Sequence, residues 1–321
     1  MRAAVYRNHG PAADVLSVED LDPPAPGPGE VRVRVVVSAV NPTDWKSRAA
    51  PGEMTGFQVP NQDGAGVVDA VGDGVDKGRV GERVWVYLAA WQRPYGTAAE
   101  YTVVPAERAV PLPPGVSFDL GASMGVPAMT AHRCLFADGP VAGRTVLVAG
   151  GAGAVGHFAI QLARAAGATV ISTVSGPEKA ELASAAGAHH VVNYRQPDAA
   201  EWIRAVAPGG VDRIVELALA SNLTLDLAVA APGAVIVTYA SEATEPTLPV
   251  RELMTRNLVL RFILLYYVPV TALRQAADDI TAALANGTLT ELPAHRFGLA
   301  DIAAAHDAVE AGATGKVLVD I

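Results

Sequence analysis

Hydrophobic positions along this chain follow two different rhythms. In the first third they alternate. Glu30–Val40 sets Val31, Val33 and Val35 against Arg32 and Arg34, the two-residue period of a half-buried strand. Met1–Tyr6, Gly64–Val71, Arg83–Tyr87 and Ala99–Pro105 read as further short strands, with turns at Asp73-Gly74, Lys77-Gly78 and Gly81-Glu82. Pro23–Gly29 is a rigid connector, and Asn41-Pro42-Thr43-Asp44 breaks the long strand, with Asp44 suited to cap a short helix near Trp45. Many short strands with Gly and Pro turns predict a barrel-like β domain. After Pro111–Gly115 the period lengthens. Phe118–Phe136 is an Ala-rich helical stretch, and strands and helices then alternate: Val146–Ala149, a helix from Ala154, Thr169–Val174, Pro177–Ala186, His190–Asn193, Asp198–Ala207, Arg213–Leu217, Asn222–Ala230 closed by Pro232-Gly233, and Ala234–Tyr239. That alternation predicts an open parallel sheet with right-handed crossovers. Val259–Leu265 is an apolar run suited to a sheet edge. Val270–Asn286 and Ala300–Ala311 read as helices, Leu289–Phe297 as extended, and Lys316–Ile321 as a last strand.

One turn carries chemistry. Gly151-Ala152-Gly153-Ala154-Val155-Gly156 has the GxGxxG spacing and lies between an apolar strand and a helix. Small residues there let backbone approach a pyrophosphate, and the helix N-terminus offers unpaired N–H groups to it. The stretch Thr145–Ser175 is therefore a dinucleotide site, and the α/β part is a Rossmann-type domain. A dinucleotide site that prefers NAD places an Asp or Glu at the tip of the second strand. Here that strand ends Thr173-Val174-Ser175-Gly176, with Lys179 a helical turn further on, so a 2′-phosphate would not be repelled.

Composition narrows the class. The 321 residues are 50% hydrophobic and suffice for about two domains. No apolar run is long enough to span a bilayer, since Leu258–Val270 contains Arg261 and Pro269, and no signal-like segment precedes the first strand. The expectation is a cytoplasmic protein. A net charge of −9 argues against a nucleic-acid surface. The single cysteine, Cys134, excludes an internal disulfide and a cysteine-rich metal site, and the seven histidines are scattered.

Several segments together resemble the medium-chain dehydrogenase/reductase superfamily, and within it the zinc-free quinone oxidoreductases, the zeta-crystallin-like group. They are Ala39–Lys46, Asp63–Val68, Val80–Val84, Gly96–Tyr101, the glycine turn, Gly187-Ala188 before Val191–Tyr194, and Gly315-Lys316-Val317. Zinc-dependent members carry a cysteine where this chain has Asn41–Asp44 and His-Glu where it has Gln62-Asp63, so no metal is expected. The resemblance implies an α/β architecture: a GroES-like catalytic domain over residues 1–124, a NADPH-binding Rossmann domain over 125–267, and completion of the first domain by 268–321. It implies NADPH contacts from Ser175, Lys179, Tyr194 and Lys316 besides the glycine turn, and hydride transfer to a quinone or α,β-unsaturated carbonyl compound. Asn41, Lys46, Thr130 and Tyr239 are the candidate catalytic residues. Each also has a plain reading: Asn41 as a turn former, Lys46 as a solvated charge, Thr130 as a hydroxyl bonded to backbone, Tyr239 as packing. Trp85, Tyr87, Trp91 and Tyr95 either floor a flat acceptor pocket or fill the β-domain core. A homodimer through Val259–Leu265 is expected. An enoyl-thioester reductase and a non-enzymatic NADPH-binding, crystallin-like protein are the competing readings.

Overall fold

The computed structural model describes residues 1–242 and 244–321. Its contacts divide the chain into two compact units: Met1–Val126, Ala277–Asn286 and Glu291–Ile321 form the first, and Pro127–Ala276 with Gly287–Thr290 the second.

The first unit begins with β1 (Arg2–Val5), α1 (Ala12–Val15), β2 (Ser17–Asp20), β3 (Glu30–Val40), α2 (Pro42–Arg48), β4 (Asp63–Val71), β5 (Arg83–Val86), β6 (Tyr101–Pro105), β7 (Ala109–Pro111) and α3 (Phe118–Ala122). A π-helical turn at Met124–Ala128, holding Pro127, leads on to α4 (Met129–Phe136). Then come β8 (Thr145–Ala149), α5 (Ala154–Ala165), β9 (Thr169–Val174), α6 (Pro177–Ala185), β10 (His190–Asn193), α7 (Ala199–Val206), β11 (Val211–Glu216), α8 (Leu219–Val229), β12 (Ala230–Thr238), α9 (Val250–Thr255) and β13 (Val259–Phe262). The chain continues through α10 (Val270–Ala285), β14 (Ala294–Gly298), α11 (Ile302–Glu310) and β15 (Lys316–Asp320).

In the first unit β3 is the hub. The sheet runs β14-β15-β3-β4-β5-β7, and β6 also pairs with β3. The alternation read in the sequence is what seats β3: Val31, Val33, Val35 and Val37 are buried, whereas Arg34 between them is exposed. Val31 and Val33 join Val68, Val84 and Val104 in one apolar cluster. Trp85 and Tyr87 are fully buried in the β-rich unit. Of the two readings open for this pair, the packing one holds, since neither ring is accessible to an acceptor. Trp91 and Tyr95 are half-buried.

α2 begins at Pro42 with Asn41 as its N-cap, not near Trp45. Proline is preorganised for the first helical position, so the Asn-Pro pair that ends the strand also starts the helix. Asp44 is thereby the third helical residue, and its carboxylate accepts the Asn41 backbone N–H at 2.7 Å.

In the second unit six parallel strands run β10-β9-β8-β11-β12-β13. This is the doubly wound order in which ligands bind at the carboxyl ends of the strands. The central strands are buried on both faces, as Val146, Leu147 and Val148 of β8 and Ile214 and Val215 of β11 show. Pro232-Gly233, read as the end of a helix, lies inside β12, whose pairing with β11 slips at that point. β13 forms one edge and ends at Phe262, with a 3-10 turn at Leu265–Tyr267 beyond it.

Candidate active site

The glycine turn sits between β8 and α5, with Gly153 as the N-cap of the helix. Gly153 N–H donates to Gly150 O at 2.9 Å, and the first intrahelical bond is His157 N–H to Gly153 O at 2.8 Å. The N–H groups of Ala154, Val155 and Gly156 therefore start the helix without intrahelical acceptors. A Cβ on Gly156 would overlap Gly150 O and Gly151 Cα, and one on Gly151 would overlap Ser172 Oγ. The turn is as close-packed as a pyrophosphate cradle requires, with Ala152 buried and Gly153, Ala154 and Val155 at its lip.

At the tip of β9, Ser175 is half-buried, and Lys179 on α6 is exposed. Tyr194 N–H donates to Val174 O at 3.1 Å, which brings the exposed Tyr194 alongside that tip. Arg195 beside it is also exposed, its N–H held by Asn193 Oδ1 at 3.0 Å. Ser175 and Tyr194 thus share the carboxyl edge of neighbouring strands, and Lys179 stands in the first turn of the α6 helix that follows. Glu178 and Glu181 are exposed on α6.

The first unit holds a buried polar cluster around Asn41. Its Nδ2 donates to Asp63 Oδ2 at 2.6 Å, and its Oδ1 accepts from Lys316 Nζ at 2.6 Å. Lys316 also donates to Val40 O at 3.3 Å. Asp44 accepts Gln62 N–H at 3.1 Å, and Asp63 accepts Val126 N–H at 2.9 and 2.8 Å. Asn41, Asp44, Asp63 and Lys316 are all nearly inaccessible. Burial pushes Asp44 up to about 8, and the nearby Asp63 charge adds to the rise. Burial likewise pushes Asp63 up to about 6, against the pull of Lys316, whose own ammonium burial pushes down. At neutral pH Asp44 is therefore the protonated carboxyl of the cluster and Asp63 the ionised one.

The resemblance implies a cofactor contact for Lys316. Its ammonium is instead enclosed and committed to Asn41 and Val40, which gives it a different place in the site. Lys46 is exposed on α2, with its ammonium 5.8 Å from the Trp45 ring centroid.

In the second unit Thr130 is buried on α4. Tyr239 follows β12 directly, half-buried, with its N–H donating to Glu216 O at 3.2 Å. Burial raises its phenol, and Cys134 and Glu216 add to the rise, so it stays an O–H donor. It lines a cavity of about 580 Å³ that Arg133 and Ala137 of the α4 end also line. Cys134 is fully buried, and burial raises its thiol. His189 Nδ1 accepts Val170 N–H at 3.0 Å. Among the described residues no group of three or more His, Cys, Asp and Glu side chains is arranged to hold a metal ion.

Sequence reasoning missed Asp44, Asp63 and Lys316 as one cluster, because their partners lie up to 276 residues apart. The usable signal was the pair Asn41 and Gln62-Asp63, already marked as the places where zinc ligands are replaced. It also missed Glu216 and Asp226, two buried carboxyls whose Oε2 and Oδ2 have no hydrogen-bond partner among the described residues. Burial raises both, and the Glu216 charge adds to the rise at Asp226.

Two family models match the chain, Alcohol dehydrogenase GroES-like domain over residues 27–114 and Zinc-binding dehydrogenase over residues 154–282. Human quinone oxidoreductase is 30% identical over 99% of this chain and 97% of its own length. A 2-haloacrylate reductase from a Burkholderia species is 32% identical over 95% and 94%. Among solved structures, an NAD-dependent alcohol dehydrogenase superposes with a TM-score of 0.90 at 29% identity, covering 100% of both chains. A mycobacterial protein complexed with NADPH superposes with a TM-score of 0.87 at 29% identity, also over 100% of both.

Proposed function

The chain belongs to the quinone oxidoreductase group of the medium-chain dehydrogenase/reductase superfamily, and from that premise we propose an NADPH-dependent reductase of quinones or α,β-unsaturated carbonyl compounds that works without zinc. One observation carries this reading. The two segments that supply metal ligands in zinc-dependent members are here joined to each other directly, Asn41 Nδ2 to Asp63 at 2.6 Å and Gln62 N–H to Asp44 at 3.1 Å. Where a Lewis acid would polarise the acceptor, this chain has a rigidly held amide.

NADPH, when bound, would supply a hydride and so become NADP⁺. The acceptor gains that hydride at carbon, its π pair moves onto the carbonyl oxygen, and a proton from water completes the product. The glycine turn and the α5 N-terminus would hold its pyrophosphate. Ser175, Lys179 and Tyr194 would hold the 2′-phosphate, because the β9 tip has no carboxylate to exclude it. Lys316 and Asp63 fix both ends of the Asn41 amide. Tyr239 and Thr130 offer hydroxyl donors for charge developing on the acceptor oxygen, and Lys46 is the exposed cation of the same reading. Two copies pair through β13, a sheet edge with Val259 and Phe262 exposed. No helix among the described residues is long and apolar enough to cross a membrane.

Lys179→Glu tests the cofactor assignment: the Michaelis constant for NADPH should rise far more than that for NADH, and equal effects would overturn it. Oxidation of NADPH by a panel of quinones and enones tests the activity. Tight NADPH binding with no acceptor able to oxidise it would leave a binding protein instead.

A further inference from the structure

The cavity beside Tyr239 has a chemical character that the reading above does not use. It opens at the carboxyl end of β12, where an open parallel sheet binds its ligands. Its walls are largely apolar, with Phe262, Ile263 and Leu264 among them, and its volume of about 580 Å³ suits a small organic molecule. Two arginines line it, and they differ. Arg261 is already neutralised, since its Nε and Nη2 both pair with the Asp138 carboxylate. Arg133 is half-buried and, among the described residues, has neither a hydrogen-bond acceptor nor an ion-pair partner. An unneutralised guanidinium at an apolar wall, in a chain of net charge −9, calls for an anion.

Position adds a second argument. Thr130, Arg133 and Ala137 recur at helical spacing on one face of α4, and the cavity meets that face at Arg133 and Ala137. Thr130 lies one turn further along the same face, and Tyr239 lines the same cavity. We infer that Arg133 is the anion-reading residue of the acceptor pocket, and that the acceptors are small electron-poor alkenes bearing a carboxylate. This inference rests on the reductase reading above. As the β-carbon of such an alkene gains hydride, its π pair moves toward the carboxylate, and the α-carbon then takes a proton from water. A guanidinium forked onto that carboxylate therefore stabilises the transition state more than the ground state.

The test compares crotonate with crotonamide, alike in shape and different in charge, in binding by calorimetry to the NADP⁺-loaded protein and in NADPH-dependent turnover. The wild-type protein should bind crotonate more tightly. Arg133→Gln should lower the crotonate-to-crotonamide ratio, in affinity and in kcat/KM, by about 10- to 100-fold, the value of a charge-assisted pair. Arg133→Lys should recover part of it. Retained NADPH affinity and melting temperature identify a folded variant. Equal wild-type affinity for the two ligands, or a ratio unmoved by Arg133→Gln, would overturn the inference. Crotonyl-coenzyme A is the third arm: if Arg133→Gln costs that thioester as much as crotonate, the subsite reads a phosphate and the carboxylate assignment falls. Arg133-dependent crotonate binding with no turnover of any acceptor would sink the reductase reading and leave the anion subsite standing.

Discussion

Lys316 and Asn41 show how a residue's role depends on partners far away in sequence. Asn41 has its Oδ1 on Lys316 and its Nδ2 on Asp63, so the amide cannot rotate without breaking charge-assisted bonds. Lys316→Met should cost about 3 kcal/mol or more of stability, since it leaves buried carboxyls without their cation, and it should lower kcat while the NADPH Michaelis constant moves little. If Lys316 acts through Asn41, the double variant Asn41→Ala/Lys316→Met loses no more kcat than Asn41→Ala alone. Additive losses would show an independent role. The glycine turn is the opposite case. Its meaning was readable from six adjacent residues, because the close approach it needs is local. Gly156→Ala sets a methyl against the backbone of Gly150 and Gly151, which cannot move aside as a side chain can. NADPH affinity measured by fluorescence should fall sharply, and undiminished binding would refute the cradle.

Among the elements, the strands and helices with clear periods were legible and their ends were not. β3 and the β8–α5–β9 unit match the sequence pattern because a buried face dictates the period. α2 was expected too late because Asp44 has a capper's side chain, but Asn41-Pro42 holds the stronger start signal, an N-cap followed by proline at the first helical position. Pro232-Gly233 was expected to stop a helix and instead falls in β12 at a register slip, where a missing N–H can be tolerated. β13 carries the element-scale prediction. Phe262 is 67% exposed at the edge of a parallel sheet, an unusual place for a phenylalanine unless something covers it. Phe262→Glu should shift the protein from dimer to monomer in size-exclusion chromatography with light scattering. A wild-type monomer would refute the dimer, and a dimer indifferent to the charge would move the contact elsewhere.

For the molecule as a whole, buried carboxyls set the pH dependence of stability. Asp44, Asp63, Glu216 and Asp226 all hold protons more tightly when folded. Their contribution is complete below the unfolded carboxyl range near pH 4. It is lost as pH rises through about 6 for Asp63 and about 8 for Asp44, because the unfolded chain has already released those protons. Glu30 works the other way: bonds from Gly27 N–H and Arg93 outweigh its partial burial and lower it, so its contribution disappears in acid. Urea midpoints should therefore peak near pH 5 and decline toward pH 8.5. Asp44→Asn should be less stable throughout and should flatten the decline between 6 and 8. A profile that climbs across that interval in the wild-type protein would contradict the protonated cluster.

The pairing of β15 with β3 also sets an order of events during synthesis. Every strand of the six-stranded sheet lies between Thr145 and Phe262, so that sheet can close while translation continues. β3 is made early but gains its β15 neighbour, Val40 opposite Val317, only after nearly 280 further residues have emerged. A nascent chain stalled before that point would carry a complete dinucleotide fold beside an exposed β3 edge and an Asn41 with no lysine. Chaperone demand should therefore concentrate on the segment made first, and dinucleotide binding should precede catalytic competence on the ribosome.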